Sequence, residues 1–383
     1  MKNLLTSALN RATQLTRERN LAEATRVLMG ALTNGAAPAP TPQPAEHAEP
    51  HPPTFRLRRP LGETVELLRH AGLPGLNQSG APLVGLRKAP NIDVPPGAAY
   101  VSRGYVGPAG ARDYKVYAPN GLGDGERPLI VMLHGCAQNP DDFAVGSRMN
   151  ELAEEHGFIV AYPAQSTTAN QMGCWNWFNP SDQTREKGEP SLIAGMTRAI
   201  MAEWRVDESR VYVAGLSAGG AMAATMAATY PELYAAVGIH SGLAHGSASD
   251  VASAFAAMGG KFEIGAARRS LSEDYVRTIV FHGEADQKVH PTNGETIIAG
   301  ARLDLADSLA RETRETGSAG GRNYSRTVIA DARGVPQLEH WAVEGLGHAW
   351  SGGNPDGSFA DRHGPEASRE MVRFFLADAS AAR

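Results

Sequence analysis

Hydrophobic and polar positions are arranged differently in the two halves of this chain. From about residue 101 onward, short apolar runs recur at 113–119, 128–135, 158–163, 210–217, 235–242, 277–286 and 338–350. Several are almost continuously hydrophobic (PLIVML, FIVAY, TIVF), as expected of strands buried on both faces. Between them lie helix candidates around 142–156, 190–204, 218–229, 293–313 and 366–378. Alternating strands and helices with doubly buried strands predict an α/β architecture, a mostly parallel sheet covered by helices.

The first hundred residues follow another pattern. Leu5, Leu9, Ala12 and Leu15, then Leu21, Ala24, Val27 and Leu28, recur at helical spacing, with Arg17, Glu18, Arg19 and Glu23 between them. Residues 1–33 are therefore read as a helical N-terminal extension. Such a helix packs on the main domain or a partner, or lies on a membrane or polymer-granule surface. Its few cations weaken the membrane version. Residues 34–54 are rich in Pro and Ala and read as a linker. Residues 55–100 read as an extended arm, and 101–383 as the main α/β domain.

Composition narrows the function classes. The 383 residues are 42% hydrophobic and 20% charged, with a formal net charge of −5, so nucleic acid is a poor default partner. No run of 18 apolar residues occurs, which predicts no transmembrane helix. The N-terminus lacks an apolar signal-peptide core, so the expected location is the cytoplasm, with granule association and non-standard export as alternatives. Two cysteines, Cys136 and Cys174, make neither a disulfide scaffold nor a zinc pattern, and no metal or cofactor is expected.

Chemistry enters at Gly215-Leu216-Ser217-Ala218-Gly219. This G-x-S-x-G joins a strand-like run to an alanine-rich helix, the setting of a nucleophile elbow. The pentapeptide alone would equally suit a helix N-terminus capped by Ser217. Its placement favours Ser217 as the nucleophile of an α/β-hydrolase. An earlier strand ends in Leu133-His134-Gly135-Cys136-Ala137-Gln138, where such hydrolases build an oxyanion loop. The expected donors are the backbone N–H groups of Cys136 and Ala218. Chain order then calls for an acid and a histidine. Asp286, on the loop after the strand at 277–283, is the expected acid, with Glu284 as fallback. His348, after the strand at 338–344, is the expected base. His282 and His340 fall inside strands and read as core or supporting residues.

Taken together, LHGCAQNPDDF (133–143), CWNWF (174–178), GLSAGGAM (215–222), HGEADQKV (282–289) and GHAWSGG (347–353) resemble the polyhydroxybutyrate depolymerase family of esterases, whose relatives include feruloyl and acetylxylan esterases. The resemblance covers roughly residues 100–378. It implies a triad of Ser217, Asp286 and His348, an oxyanion contact at Cys136, and a hydrophobic polyester or oligoester substrate. It also allows Cys136 and Cys174 to be bridged, tying the oxyanion loop to the CWNWF segment; in a reducing cytoplasm they would be free thiols. His134, Trp175, Trp177 and Trp350 are expected to line the substrate cleft, although a packed loop is the plainer reading of the first two tryptophans. The competing functions are a feruloyl or acetylxylan esterase and a non-enzymatic granule-binding protein.

Overall fold

The computed structural model describes residues 90, 92–121, 123–261, 275–305 and 311–377. The expected N-terminal helix (1–33), the linker (34–54) and most of the extended arm lie outside the described residues.

The apolar runs form the centre of a ten-stranded sheet. Its strands are β1 (Ala99–Gly107), β2 (Gly110–Ala118), β3 (Arg127–Leu133), β4 (Ile159–Pro163), β5 (Val206–Leu216), β6 (Ala236–His240), β7 (Arg277–Gly283), β8 (Arg311–Ala319), β9 (Arg322–Ala330) and β10 (Pro336–Val343), in spatial order β1-β2-β4-β3-β5-β6-β7-β10-β9-β8. The run from β4 through β3, β5, β6 and β7 to β10 is parallel. An antiparallel pair closes each edge. Two further short strands, β11 (Trp350–Ser351) and β12 (Ala360–Asp361), pair with each other.

Period-two alternation divides the core. Leu129, Val131 and Leu133 of β3 face one cluster, while Ile130 and Met132 face the other. The first cluster is covered by α3 (Gly188–Trp204), α4 (Ala218–Thr229), α5 (Val251–Met258) and α6 (Thr292–Asp304). The second is covered by α1 (Pro140–Ser147), α2 (Met149–His156) and α7 (Ala367–Leu376). Both faces are thus sealed, which explains why these strands carry no polar alternation. The mostly parallel sheet flanked by helices is the expected α/β-hydrolase architecture. No helix among the described residues is long and apolar enough to cross a membrane.

Three local expectations change. The helix expected over 142–156 is two helices, broken at Arg148, whose φ of 58° lies in the left-handed region. α1 starts earlier because the Asn139 side chain caps the Asp142 N–H and Pro140 occupies the first turn. The helix expected to reach 313 ends at Asp304, and residues 311–330 form the β8–β9 hairpin. Its turn is Gly320-Gly321, with φ of 54° and 80°, the positive pair a tight right-twisted hairpin needs. β8 reads RETRETGSA and is largely exposed, so it has no apolar periodicity to announce it; its charges protect an open sheet edge.

Candidate active site

Parallel strands all end on the same side, and the loops leaving β3, β5, β7 and β10 meet there. Between β5 and α4 the backbone turns at one residue, Ser217, with φ 58° and ψ −119°. Two glycines make that turn feasible. A Cβ on Gly219 would lie 2.0 Å from the Leu133 carbonyl oxygen, and one on Gly215 would lie 2.4 Å from Gly219 backbone. The helix N-terminus therefore presses directly on the end of β3. The Ser217 N–H donates to the His240 carbonyl at the end of β6 (2.9 Å), which anchors the turn to the next strand.

The acid and base loops are laced together before their side chains meet. Glu284 N–H donates to the Val343 carbonyl and Ala285 N–H to that of Leu346, each at 3.0 Å. Asp286 Oδ1 then accepts the Lys288 and Val289 N–H groups at 2.9 Å, and Oδ2 accepts His348 Nδ1–H at 2.7 Å. Burial pushes this carboxyl upward. The His348 hydrogen bond and charge and the two amides overcome that effect and hold it down at about 2. An ionised acceptor at Nδ1 puts the neutral-imidazole proton there, leaving the Nε2 lone pair available. Among the described residues neither Nε2 of His348 nor the Ser217 hydroxyl has a hydrogen-bond partner. Exposed Glu284 makes no such contact, so Asp286 is the carboxylate that meets the histidine.

The loop after β3 is shaped by side chains. Gln138 Oε1 accepts the Gly135 N–H at 2.8 Å, and the Met172 carbonyl accepts the Ala137 N–H at 2.9 Å, with Ala137 at φ 61°. A Cys136–Cys174 disulfide fastens the same turn to the following loop. The Cys136 N–H has no acceptor among the described residues, and neither has that of Ala218 at the first position of α4. These are unsatisfied donors beside the turn that carries Ser217, reinforced by the positive end of a twelve-residue helix.

A family model described as Esterase PHB depolymerase matches residues 112–319, more than half of the chain. The chain belongs to this family. The matched stretch includes Ser217 and Asp286 and ends before His348. Among curated relatives, it is 33% identical over 242 residues to "Poly(3-hydroxyalkanoate) depolymerase C" of Paucimonas lemoignei, covering 61% of this chain and 57% of that one. It is 39% identical over 148 residues to "Feruloyl esterase B" of Neurospora crassa, covering 38% of this chain and 49% of that one. The chain thus spans about half the length of these relatives. The solved acetyl xylan esterase from Aspergillus awamori superposes with a TM-score of 0.57 at 22% identity, covering 72% of this chain and 99% of that one, which is a likeness of fold.

The family's aromatic and histidine motifs occupy a different place from that expected. His134 is 1% exposed, Trp175 0%, Trp177 7% and Trp350 1%, so none of them forms an open wall. Each polar edge is instead spent inside. His134 donates through Nδ1 to the Gly135 carbonyl and accepts the Gln165 N–H at Nε2, while burial lowers its pKa to about 4. Trp175 Nε1 donates to the His134 carbonyl, and Trp350 Nε1 to Ser368 Oγ. Trp350 also stacks on His240, itself buried, whose Nε2 accepts the Ser351 N–H. Their buried polar atoms tie the loops together from within.

Other polar side chains brace these loops; of them, only Glu189 carried no sequence signal of its own. Glu189 is buried at the start of α3, its oxygens accepting from Gln165 Nε2 and from the backbone and side chain of Asn176. Burial and nearby Asp182 raise its pKa to about 7. Gln138 also donates to Asp142 and to the Ser358 carbonyl, linking the β3 loop to the loop before β12. His282 donates from Nε2 to the Val289 carbonyl, bracing the turn that holds Asp286.

Proposed function

We propose that this chain is a carboxylic-ester hydrolase working through an acyl-enzyme on Ser217. His348 takes the Ser217 proton as the Oγ–carbon bond forms, then gives it to the leaving alcohol as the ester C–O bond breaks. Water deprotonated by the same imidazole then releases the acid and restores Ser217. Asp286 keeps the imidazole oriented and stabilises its charged form. The Cys136 and Ala218 N–H groups receive the developing oxyanion, each such donor being worth about 3–4 kcal/mol in comparable sites. The observation that carries the reading is the 2.7 Å Asp286–His348 hydrogen bond, which leaves Nε2 without a partner among the described residues, in a loop at the same end of the sheet as the Ser217 turn.

The proposed substrates are poly(3-hydroxybutyrate) or its short oligomers, in line with the name of the Paucimonas relative. The feruloyl esterase similarity favours carbohydrate esters as the second reading. Purified protein would be screened on p-nitrophenyl esters, 3-hydroxybutyrate oligomers and polymer, and feruloylated and acetylated sugars. Ser217→Ala should lower kcat by at least about 10⁴-fold, and a fluorophosphonate should add its mass to the peptide containing Ser217. Wild-type turnover by Ser217→Ala, or labelling elsewhere, would remove the mechanism.

A further inference from the structure

One side chain without a part in this chemistry stands against the base, and a second stands against the first. Phe359, in the loop between β11 and β12, meets His348 edge-on, with ring centres 6.4 Å apart and planes at 75°. It is only partly buried and holds φ 51°, a conformation that bulky residues seldom adopt. Its position is imposed by its neighbour. Ser358 donates its N–H and hydroxyl to Asp142, and its carbonyl accepts from Gln138. The second side chain is Lys288, two residues past Asp286. Its Nζ lies 4.6 Å from the centre of the Phe359 ring. Lys288 is exposed, and among the described residues no carboxylate pairs with it.

The direction of proton transfer says what should meet these groups. His348 protonates the leaving oxygen, so the leaving alcohol lies on the imidazole's side of the cleft. There it encounters the Phe359 ring and then the ammonium, which the legs of 6.4 and 4.6 Å keep within about 11 Å of the imidazole centre. A 3-hydroxyalkanoate leaving group carries its carboxylate three bonds from the departing oxygen, about 4 Å at ordinary bond lengths. A lysine on a four-carbon stem can close the remaining gap. Resting on the ester-hydrolase reading, we infer that Phe359 and Lys288 form a leaving-group subsite that reads a free carboxylate. The preferred substrates are then short oligoesters of hydroxy acids cleaved next to their acidic end.

The test uses full-length wild type, Lys288→Met and Lys288→Arg on O-acetyl-3-hydroxybutanoate, as the free acid and as its methyl ester, at low and high salt. The side-chain changes retain the backbone N–H that Asp286 accepts. The acid-to-methyl-ester ratio of kcat/KM should fall about fivefold in Lys288→Met, mainly through KM, as expected for an exposed charge contact. Lys288→Arg should recover it, and added salt should erode the ratio in wild type but not in Lys288→Met. An unchanged ratio in Lys288→Met, with both esters hydrolysed by wild type, overturns the Lys288 assignment alone. Hydrolysis of neither ester, nor of any p-nitrophenyl ester, by wild type overturns the reading beneath it.

Discussion

Replacing Gly219 by Ala tests the elbow geometry most directly. In an ordinary helix this change would gain about 1 kcal/mol from propensity. Here the new Cβ would lie 2.0 Å from the Leu133 carbonyl oxygen and 2.5 Å from that of His134. Real contacts begin near 3.0 Å, so something must move by about 1 Å. Both obstructing atoms are backbone, and β3 is locked between β4 and β5. On the other side, α4 is held by fully buried Ala221, Met222 and Met226. Neither side yields cheaply, and overpacking of this kind costs about 1–3 kcal/mol or more. Sterics should win, with a net loss of up to about 2 kcal/mol once the propensity gain is subtracted. Ser217 and Ala218 travel with α4, whereas Cys136 travels with β3. A 1 Å change in their separation should lower kcat/KM by about 100-fold. Gly220→Ala is the graded comparison, since its nearest contacts are 3.1 Å and its effects should be smaller. Urea denaturation and p-nitrophenyl butyrate hydrolysis measure both quantities. A Gly219→Ala protein as stable and active as wild type, or one less affected than Gly220→Ala, would refute the reasoning.

Two more outcomes follow from the same turn and its neighbours. Ser217 holds a positive φ that costs about 1–3 kcal/mol in a non-glycine residue, less the 0.5–1 that glycine loses in chain entropy. Ser217→Gly should therefore melt above Ser217→Ala, by about 1 kcal/mol of stability, although both are inactive; equal melting would show the turn to be unstrained. Asp286 is held at about 2, below its ordinary 3.8. A depressed folded-state value contributes stability above the unfolded pKa and loses it as pH falls through the folded one. About 2 kcal/mol should thus disappear between pH 4 and 2. Urea midpoints at pH 5, 4 and 3 should flatten in Asp286→Asn, and an acid limb as steep as that of wild type would contradict the assignment.

Much of the site was legible because its chemistry is written locally. A strand, a glycine-flanked serine and a helix lie within twenty residues, and doubly buried strands announce themselves by lacking polar positions. The order of Ser217, Asp286 and His348 along the chain needed no contact map. Aromatic residues were harder to place. Trp350 stands two residues from His348 yet turns inward to Ser368, whereas Phe359, eleven residues on, faces the imidazole. Nothing in the identity of an aromatic residue tells which face of a loop it will occupy. The β8–β9 hairpin was equally silent, because a charged edge strand has no buried side to give it a period.

By itself, then, the chain order and hydrophobic periodicity determined the α/β layering, the turn that carries Ser217 and the loops that carry Asp286 and His348. Such features depend on neighbours in sequence, where sterics and burial act through a few bonds. Only the tertiary structure decided that Asp286 rather than Glu284 meets His348, that Cys136 and Cys174 are joined, and that Trp175, Trp177 and Trp350 are buried. Those choices turn on distances between loops that leave different strands, and such distances are set by the packing of the whole sheet.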